Sequence, residues 1–317
     1  MAFYYLLLLL ISIVTSLLIG NPLIQMLKSL SIEQTIREDG PQNHIIKKSK
    51  TPTIGGLIFL IPFFLIALCI YFLNEDFRSE CFLIVMGSTL IMAIVGFVDD
   101  YLKVLKKHNK GISGWIKLLI QLLISLVLYY KYSQSSSIIY LIWCFFIFSG
   151  ASNSYNLTDG LDGLLASISI VSFLGLSILL HFIGKMELAC LSIVFLGSLL
   201  GFLYFNKYPA KVFMGDTGSL AIGGAIGSLA IVSRSELYLI CFATIPILEA
   251  LSVILQVASC QLSKKFLGID KRILKMAPLH HHFELSGWKE TDVVKRFFVF
   301  QFICLLVGIL LLYIKQS

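Results

Sequence analysis

The chain is 317 residues long, 57% hydrophobic and only 14% charged, with a net charge of +7 and a mean hydropathy of +0.89. A soluble domain carries nearer a quarter charged residues, so this balance excludes an ordinary water-soluble enzyme and points to a chain spread through a bilayer. No nucleic-acid motif accompanies the positive excess, which belongs to membrane orientation instead.

A hydrocarbon core about 30 Å thick takes about 20 apolar residues per helix, and such stretches recur along the whole length. The predicted fold is all-α: a polytopic integral membrane protein of ten transmembrane helices, forming one domain over 1–317. The spans fall near 2–20, 55–73, 81–98, 115–132, 138–150, 163–183, 188–205, 219–233, 237–260 and 297–314. The first has neither a basic leader nor a small-residue cleavage site, so it reads as a retained helix and not a signal peptide. The fifth is short, and the ninth contains Pro246 and Glu249. The alternating short strands of a transmembrane barrel are absent. Cys69, Cys81, Cys144, Cys190, Cys241, Cys260 and Cys304 form no C-x-x-C pair. They read as buried small hydrophobes, without a disulfide framework or thiolate metal site.

The loops sort into two unequal sets. Loops 20–54, 99–114, 151–162, 206–218 and 261–296 hold 19 Lys and Arg; the other set and the C-terminus hold four. That asymmetry predicts a cytoplasmic side for the first set and the opposite, periplasmic side for both termini. Asp99, Asp100, Asp159, Asp162 and Asp216 all fall in the basic set, beside helix ends and glycines. Chemistry is therefore expected on that face.

Five segments of this face could carry it. Lys47 to Gly56, with Lys48 and Thr53, brings lysines and hydroxyls to the second span; these could hold a nucleotide or a lipid phosphate, or the lysines could simply anchor the helix. Gly96-Phe97-Val98-Asp99-Asp100-Tyr101 closes the third span, and two acids at a membrane border call for a cation or water. Asn156 to Gly163 is read as opening the sixth span, with Asp159 and Asp162 three apart on one helix face. N-capping would explain one of these acids but not both. Phe213-Met214-Gly215-Asp216-Thr217-Gly218-Ser219 precedes the eighth span and offers a carboxylate, hydroxyls and free amides; such oxygen ligands suit Mg²⁺. In the last loop, Gln261 to Met276 reads as a basic amphipathic surface helix. Ala277 to Glu284 follows it with His280, His281 and His282. Three consecutive histidines cannot all face one zinc on a helix, so contact with phosphate beside the acids is the better use. A metal, basic groups and carboxylates at one water–lipid border are the set that phosphoryl transfer needs.

These motifs, together with Arg37-Glu38-Asp39-Gly40-Pro41, resemble the phospho-N-acetylmuramoyl-pentapeptide transferase family over essentially the whole chain. The wider polyprenyl-phosphate N-acetylhexosamine-1-phosphate transferases share the acid motifs, and the unbroken His280 to Glu284 run favours the narrower family. The resemblance implies ten helices, an active site on the cytoplasmic face of the bacterial inner membrane, Mg²⁺, and often a homodimer. It implies transfer of phospho-MurNAc-pentapeptide from UDP-MurNAc-pentapeptide to undecaprenyl phosphate, giving lipid I and UMP. By similarity, Asp99, Asp100 and Asp216 are catalytic, with Asp216 as the Mg²⁺ ligand. Asn156, Asp159, Asp162, Asn206 and Phe213 line the nucleotide pocket, where Phe213 stacks on uracil. A broken ninth helix bordering a groove for the lipid tail fits Pro246 and Glu249. Transfer of GlcNAc-1-phosphate, or an ion pathway lined by acids, are the alternatives that the residues leave open.

Overall fold

Inside a bilayer each backbone N–H and C=O must find its partner within the protein, so apolar segments of this length become helices. The computed structural model describes residues 1–30, 32, 51–106, 111–132, 137–269 and 272–316. Among them the regular elements are helices: α1 (Ala2–Ser29), α2 (Leu57–Leu73), α3 (Glu80–Lys106), α4 (Gly114–Tyr132), α5 (Ile138–Thr158), α6 (Leu164–Phe182), α7 (Met186–Asn206), α8 (Gly215–Ser233), α9 (Leu239–Phe242), α10 (Thr244–Leu267), α11 (Leu279–Leu285) and α12 (Glu290–Gln316). Nine of these are long and apolar enough to cross a membrane, and α2 adds a tenth apolar helix of 17 residues. The chain is a multi-pass membrane protein.

The centre of the bundle is α8. Its residues are buried almost without exception, and α3 and α5 pack along it most closely. Small residues allow this approach, as is usual for helices meeting inside lipid. A side chain at Gly223 would strike the Ser152 backbone of α5, and one at Gly96 of α3 would strike the Asp216 carbonyl. A second group joins α7 to α1, α2 and α6. One continuous apolar cluster runs from Leu8 to Leu312.

Several predicted boundaries shift: the first, third and tenth spans extend to Ser29, to Lys106 and back to Glu290. The fifth span does not stop near 150 but continues to Thr158, so Asn156 sits in its last turn. Residues 159–163 are a turn, and α6 begins only at Leu164 after Gly163, which has φ +76. Asp159 and Asp162 therefore do not share a helix face. The surface helix expected over 261–276 is instead the exposed end of α10, closed by left-handed Gly268; Lys271 lies outside the described residues. The end of the fifth span was misplaced because hydropathy reports the lipid core, not the helix end; the basic amphipathic pattern over 261–276 is carried instead, as far as Leu267, by the last turns of α10.

The ninth span is broken, and its repair is visible. Ala243 leaves helical geometry between α9 and α10. Pro246 falls in the first turn of α10, where a missing N–H costs least. Gln301 of α12, fully buried, accepts the Ile245 N–H at 2.9 Å and donates to the Cys241 carbonyl at 3.0 Å. One side chain thus serves both loose backbone ends. Gln301→Leu is expected to cost about 1–3 kcal/mol by leaving those groups unpaired. Thermal unfolding of the detergent-solubilised protein measures it, and an unchanged midpoint would argue against the splint.

Candidate active site

Asp99 and Asp100 end up at the site because α3 continues past the predicted span end near 98, to Lys106. Asp216 arrives from α8, whose first turn it occupies. All three belong to the same end of the bundle, and one carboxylate oxygen from each lies within 4.8 Å of the others. Among the described residues this is the only acidic group of that kind, and oxygen-only donors suit a hard divalent cation.

Asp100 and Asp99 are adjacent but differently held. The Asp100 carboxylate accepts the Asp216 N–H at 3.0 Å, the Thr217 N–H at 2.9 Å and the Thr217 hydroxyl at 2.7 Å. It caps the start of α8 from a neighbouring helix, meeting donors that have no partner within their own helix. Gly215, with φ +73, leaves the room: a Cβ there would strike an Asp100 oxygen. Asp99, 1% exposed, instead meets Lys103 Nζ at 2.6 Å and Lys117 Nζ at 2.9 Å, and accepts the Ile112 N–H at 2.7 Å.

Asp216 joins the two halves. Its Oδ2 meets Lys117 Nζ at 2.8 Å and Lys103 Nζ at 3.2 Å. Its Oδ1 accepts from Asn156 Nδ2 at 3.0 Å, and the same amide reaches Ser219 Oγ at 2.8 Å. With all three acids ionised, the two lysines leave one negative charge uncompensated within this cluster. The lysines sit between the carboxylates.

The remaining predicted residues form the surroundings. Thr53 is buried, its backbone N–H on the Ile32 carbonyl. The next residues dock on the loop before α8: the Gly55 and Gly56 amides donate to the Phe213 and Met214 carbonyls, and the Phe213 N–H to the Pro52 carbonyl. Phe213 itself is half-buried. Asp162 accepts the Ala210 N–H at 3.0 Å while its own N–H meets Glu290 at 2.7 Å. Asn206 accepts the Gly163 N–H at 3.2 Å and donates to the Val212 carbonyl at 3.0 Å. Both staple the 159–163 turn to the 207–213 loop. Lys48 and the Arg37–Pro41 motif lie outside the described residues.

The histidines diverge. His280 is buried and pairs through Nδ1 with Glu249 of α10 at 3.0 Å, with its ring against Gly160. His281 turns to Glu284 at 2.9 Å. His282 accepts the Lys275 N–H at 3.1 Å. None joins the carboxylate cluster. His280 locks the turn that follows Asn156, and Glu249, which suggested an ion path, is its fixed partner.

Lys103 fell within the basic loop 99–114 and was absorbed by the positive-inside rule, while Lys117 stood at the start of the fourth span, outside both loop sets. The Asp99–Lys103 spacing of four residues was the available signal; Lys117 had none.

The fold and site thus define a multi-pass membrane protein with a lysine-braced carboxylate centre, and residues 82–234 match the model of glycosyl transferase family 4. Phospho-N-acetylmuramoyl-pentapeptide-transferases of Shouchella clausii (strain KSM-K16), Desulforamulus reducens (strain ATCC BAA-1160 / DSM 100696 / MI-1) and Staphylococcus carnosus (strain TM300) are 42%, 41% and 39% identical to it. These matches cover 95%, 95% and 94% of this chain and 95%, 93% and 96% of those proteins. The chain belongs to the phospho-N-acetylmuramoyl-pentapeptide-transferase family.

Asp159 supplies a test of the site's electrostatics. Enclosure by the protein raises its carboxyl from 3.8 to about 8; the charges of Asp216, Asp100 and Asp162 add to the rise, and the Gly215 N–H opposes it. The folded state keeps a proton that the unfolded chain releases near 3.8, so stability falls as pH rises between those two values and levels off above about 8. Asp159→Asn removes this fall. In magnesium-free detergent its unfolding midpoint is expected to exceed the wild-type value by more at about pH 8 than at about pH 5; a gap independent of pH would contradict the raised pKa.

Proposed function

We propose that this chain transfers phospho-MurNAc-pentapeptide from UDP-MurNAc-pentapeptide to undecaprenyl phosphate, giving lipid I and UMP, as a single membrane domain at the cytoplasmic face of the bacterial inner membrane. The observation that carries the reading is the cluster of Asp99, Asp100 and Asp216 with Lys103 and Lys117 between them, in a chain similar along its whole length to proteins named for this reaction. The basic loops on the same face support the cytoplasmic orientation. The family resemblance also makes the assembly a homodimer in this reading.

A direct displacement fits these residues. An oxygen of the lipid phosphate attacks the sugar-linked phosphorus of the diphosphate, the bond to the bridging oxygen breaks, and UMP leaves with that oxygen. A phosphate monoester has its second pKa near 6, so the nucleophile is largely dianionic at neutral pH and needs no strong base. Lys103 and Lys117 are placed to draw both phosphorylated substrates to the acids. Asp99, held by both lysines, orients them and can take a residual proton. Asp100 spends both oxygens on the start of α8, which disfavours it as a covalent nucleophile. Mg²⁺, when held by Asp216 with its neighbouring acids, offsets charge on the diphosphate.

Around this centre, Asn156, Asp159 and Thr53 border the substrate space. Asp162 and Asn206 hold the two loops that shape it, and Phe213 offers a ring to the uracil. Lys48 and the three histidines complete the reading, His281 and His282 toward phosphate and His280 through the turn it locks.

The decisive assay is Mg²⁺-dependent lipid I formation by the purified protein, read as UMP release, with UDP-GlcNAc as the competing donor. Release with UDP-GlcNAc alone would replace the proposed donor. Asp216→Asn is expected to lower turnover by more than about 100-fold, the scale of losing one fixed charge at a reacting phosphate, with the protein still folded. Full activity in that variant would remove Asp216 from the centre.

A further inference from the structure

Asp216 is gripped from two sides by two different helices. Lys117 of α4 takes one carboxylate oxygen and Asn156 of α5 the other. The two grips can act together only if α4 and α5 keep a fixed spacing. α5 is well anchored, since its Ala151 and Ser152 backbone lies directly against Gly223 of α8. α4 is not: it touches α3 and α8 only slightly and packs mainly on α5, and much of its surface faces outward, with Trp115, Ile116, Leu119, Leu123 and Val127 exposed.

One turn deeper in the membrane a polar clamp joins the two helices. Gln121, 0% exposed, donates from Nε2 to Ser152 Oγ at 3.1 Å and accepts at Oε1 from Asn153 Nδ2 at 3.2 Å. The Asn153 amide also meets the Ser149 carbonyl at 2.8 Å, which fixes its direction. Gln121 follows Lys117 by four residues and Asn153 precedes Asn156 by three, so on each helix the clamp residue and the site residue stack on one face. A buried amide that finds both partners across a helix pair is a register device, because any slip leaves polar groups unpaired in lipid. Leucine would pack here as well and fix nothing.

We propose that Gln121 is a positioning residue: through Ser152 and Asn153 it sets α4 on α5 and thereby holds the Lys117 ammonium between Asp99 and Asp216. Its effect on turnover rests on the transfer reaction proposed above; its effect on Lys117 does not. Gln121→Leu removes both bonds with little change in volume, whereas Gln121→Glu keeps acceptors for the Ser152 hydroxyl and the Asn153 amide.

The test is residue-resolved acylation of the purified full-length protein by an amine-reactive reagent, followed by peptide mass spectrometry, alongside turnover. In Gln121→Leu, Lys117 is expected to be modified several-fold faster, with Lys103 unchanged. Turnover is expected to fall about tenfold, with the nucleotide-substrate KM near wild type. Gln121→Glu should restore slow Lys117 modification. If Gln121→Leu does not fold, Asn153→Leu, which breaks the clamp from the other helix, replaces it with the same expectations. Unchanged Lys117 modification, or equal acceleration at Lys103, overturns the proposal whatever happens to turnover. If the wild type lacks the proposed transferase activity, the modification result still decides the role of Gln121.

Discussion

Two charged segments from distant parts of the chain meet because a carboxylate near the end of one helix caps the start of another. Asp100 takes the first free N–H groups of α8 and the Thr217 hydroxyl. Helix starts carry unpaired donors and a partial positive charge, and burying one near lipid without an acceptor would be costly. The acceptor comes from α3, so satisfying α8 also fixes where α3 ends relative to it. The rest follows from that join. Asp216, in the same first turn, is brought into reach of Lys103, one turn beyond Asp99. The loop before α8 is set against Gly55 and Gly56. Gly96 is the point of closest approach, since any side chain there would enter the Asp216 backbone.

Adjacent acids consequently do different work. Asp100 points its oxygens at backbone donors, and Asp99 points its oxygens at ammonium groups. Neighbours on a helix diverge by about 100°, so one Asp-Asp pair can serve packing and chemistry together. An acid pair at a membrane border is tolerated only when both members find partners, and here each does so in its own direction.

The helices were legible because apolar length is a strong signal in lipid, and the gathering of acids on one face was legible from charge asymmetry between loops. What lay beyond reach was the geometry at helix ends. Asn156 read as the opening of one span because Ser149 to Tyr155 looks polar, yet Ser149 and Ser154 bond back to carbonyls of their own helix and α5 runs on. Asp159 and Asp162, at helix spacing in sequence, sit on a turn. Lys117, at the start of the fourth span, belonged to no motif. Its partners are 18 and 99 residues away, and no local pattern reports such a distance. The histidine run was visible as a motif, but its three directions come from Glu249, Glu284 and the Lys275 backbone, which only the packed chain supplies.

The polar groups inside the bundle argue for a rigid frame in place of a conducting path. A transporter of alternating access places its charges at mid-membrane in paired broken helices. Here a single break is described, and Gln301 satisfies its exposed backbone. The acid beside it, Glu249, receives both the ring and the backbone N–H of His280. Tyr155 meets Ser172 at 2.6 Å between α5 and α6, and Gln121 spans α4 and α5. Each of these bonds fixes one helix against another by a group that lipid cannot replace. A centre that gathers carboxylates and ammonium groups from α3, α4 and α8 within a few ångströms needs such a frame, because each ion pair holds only while the helices that carry its partners keep their spacing.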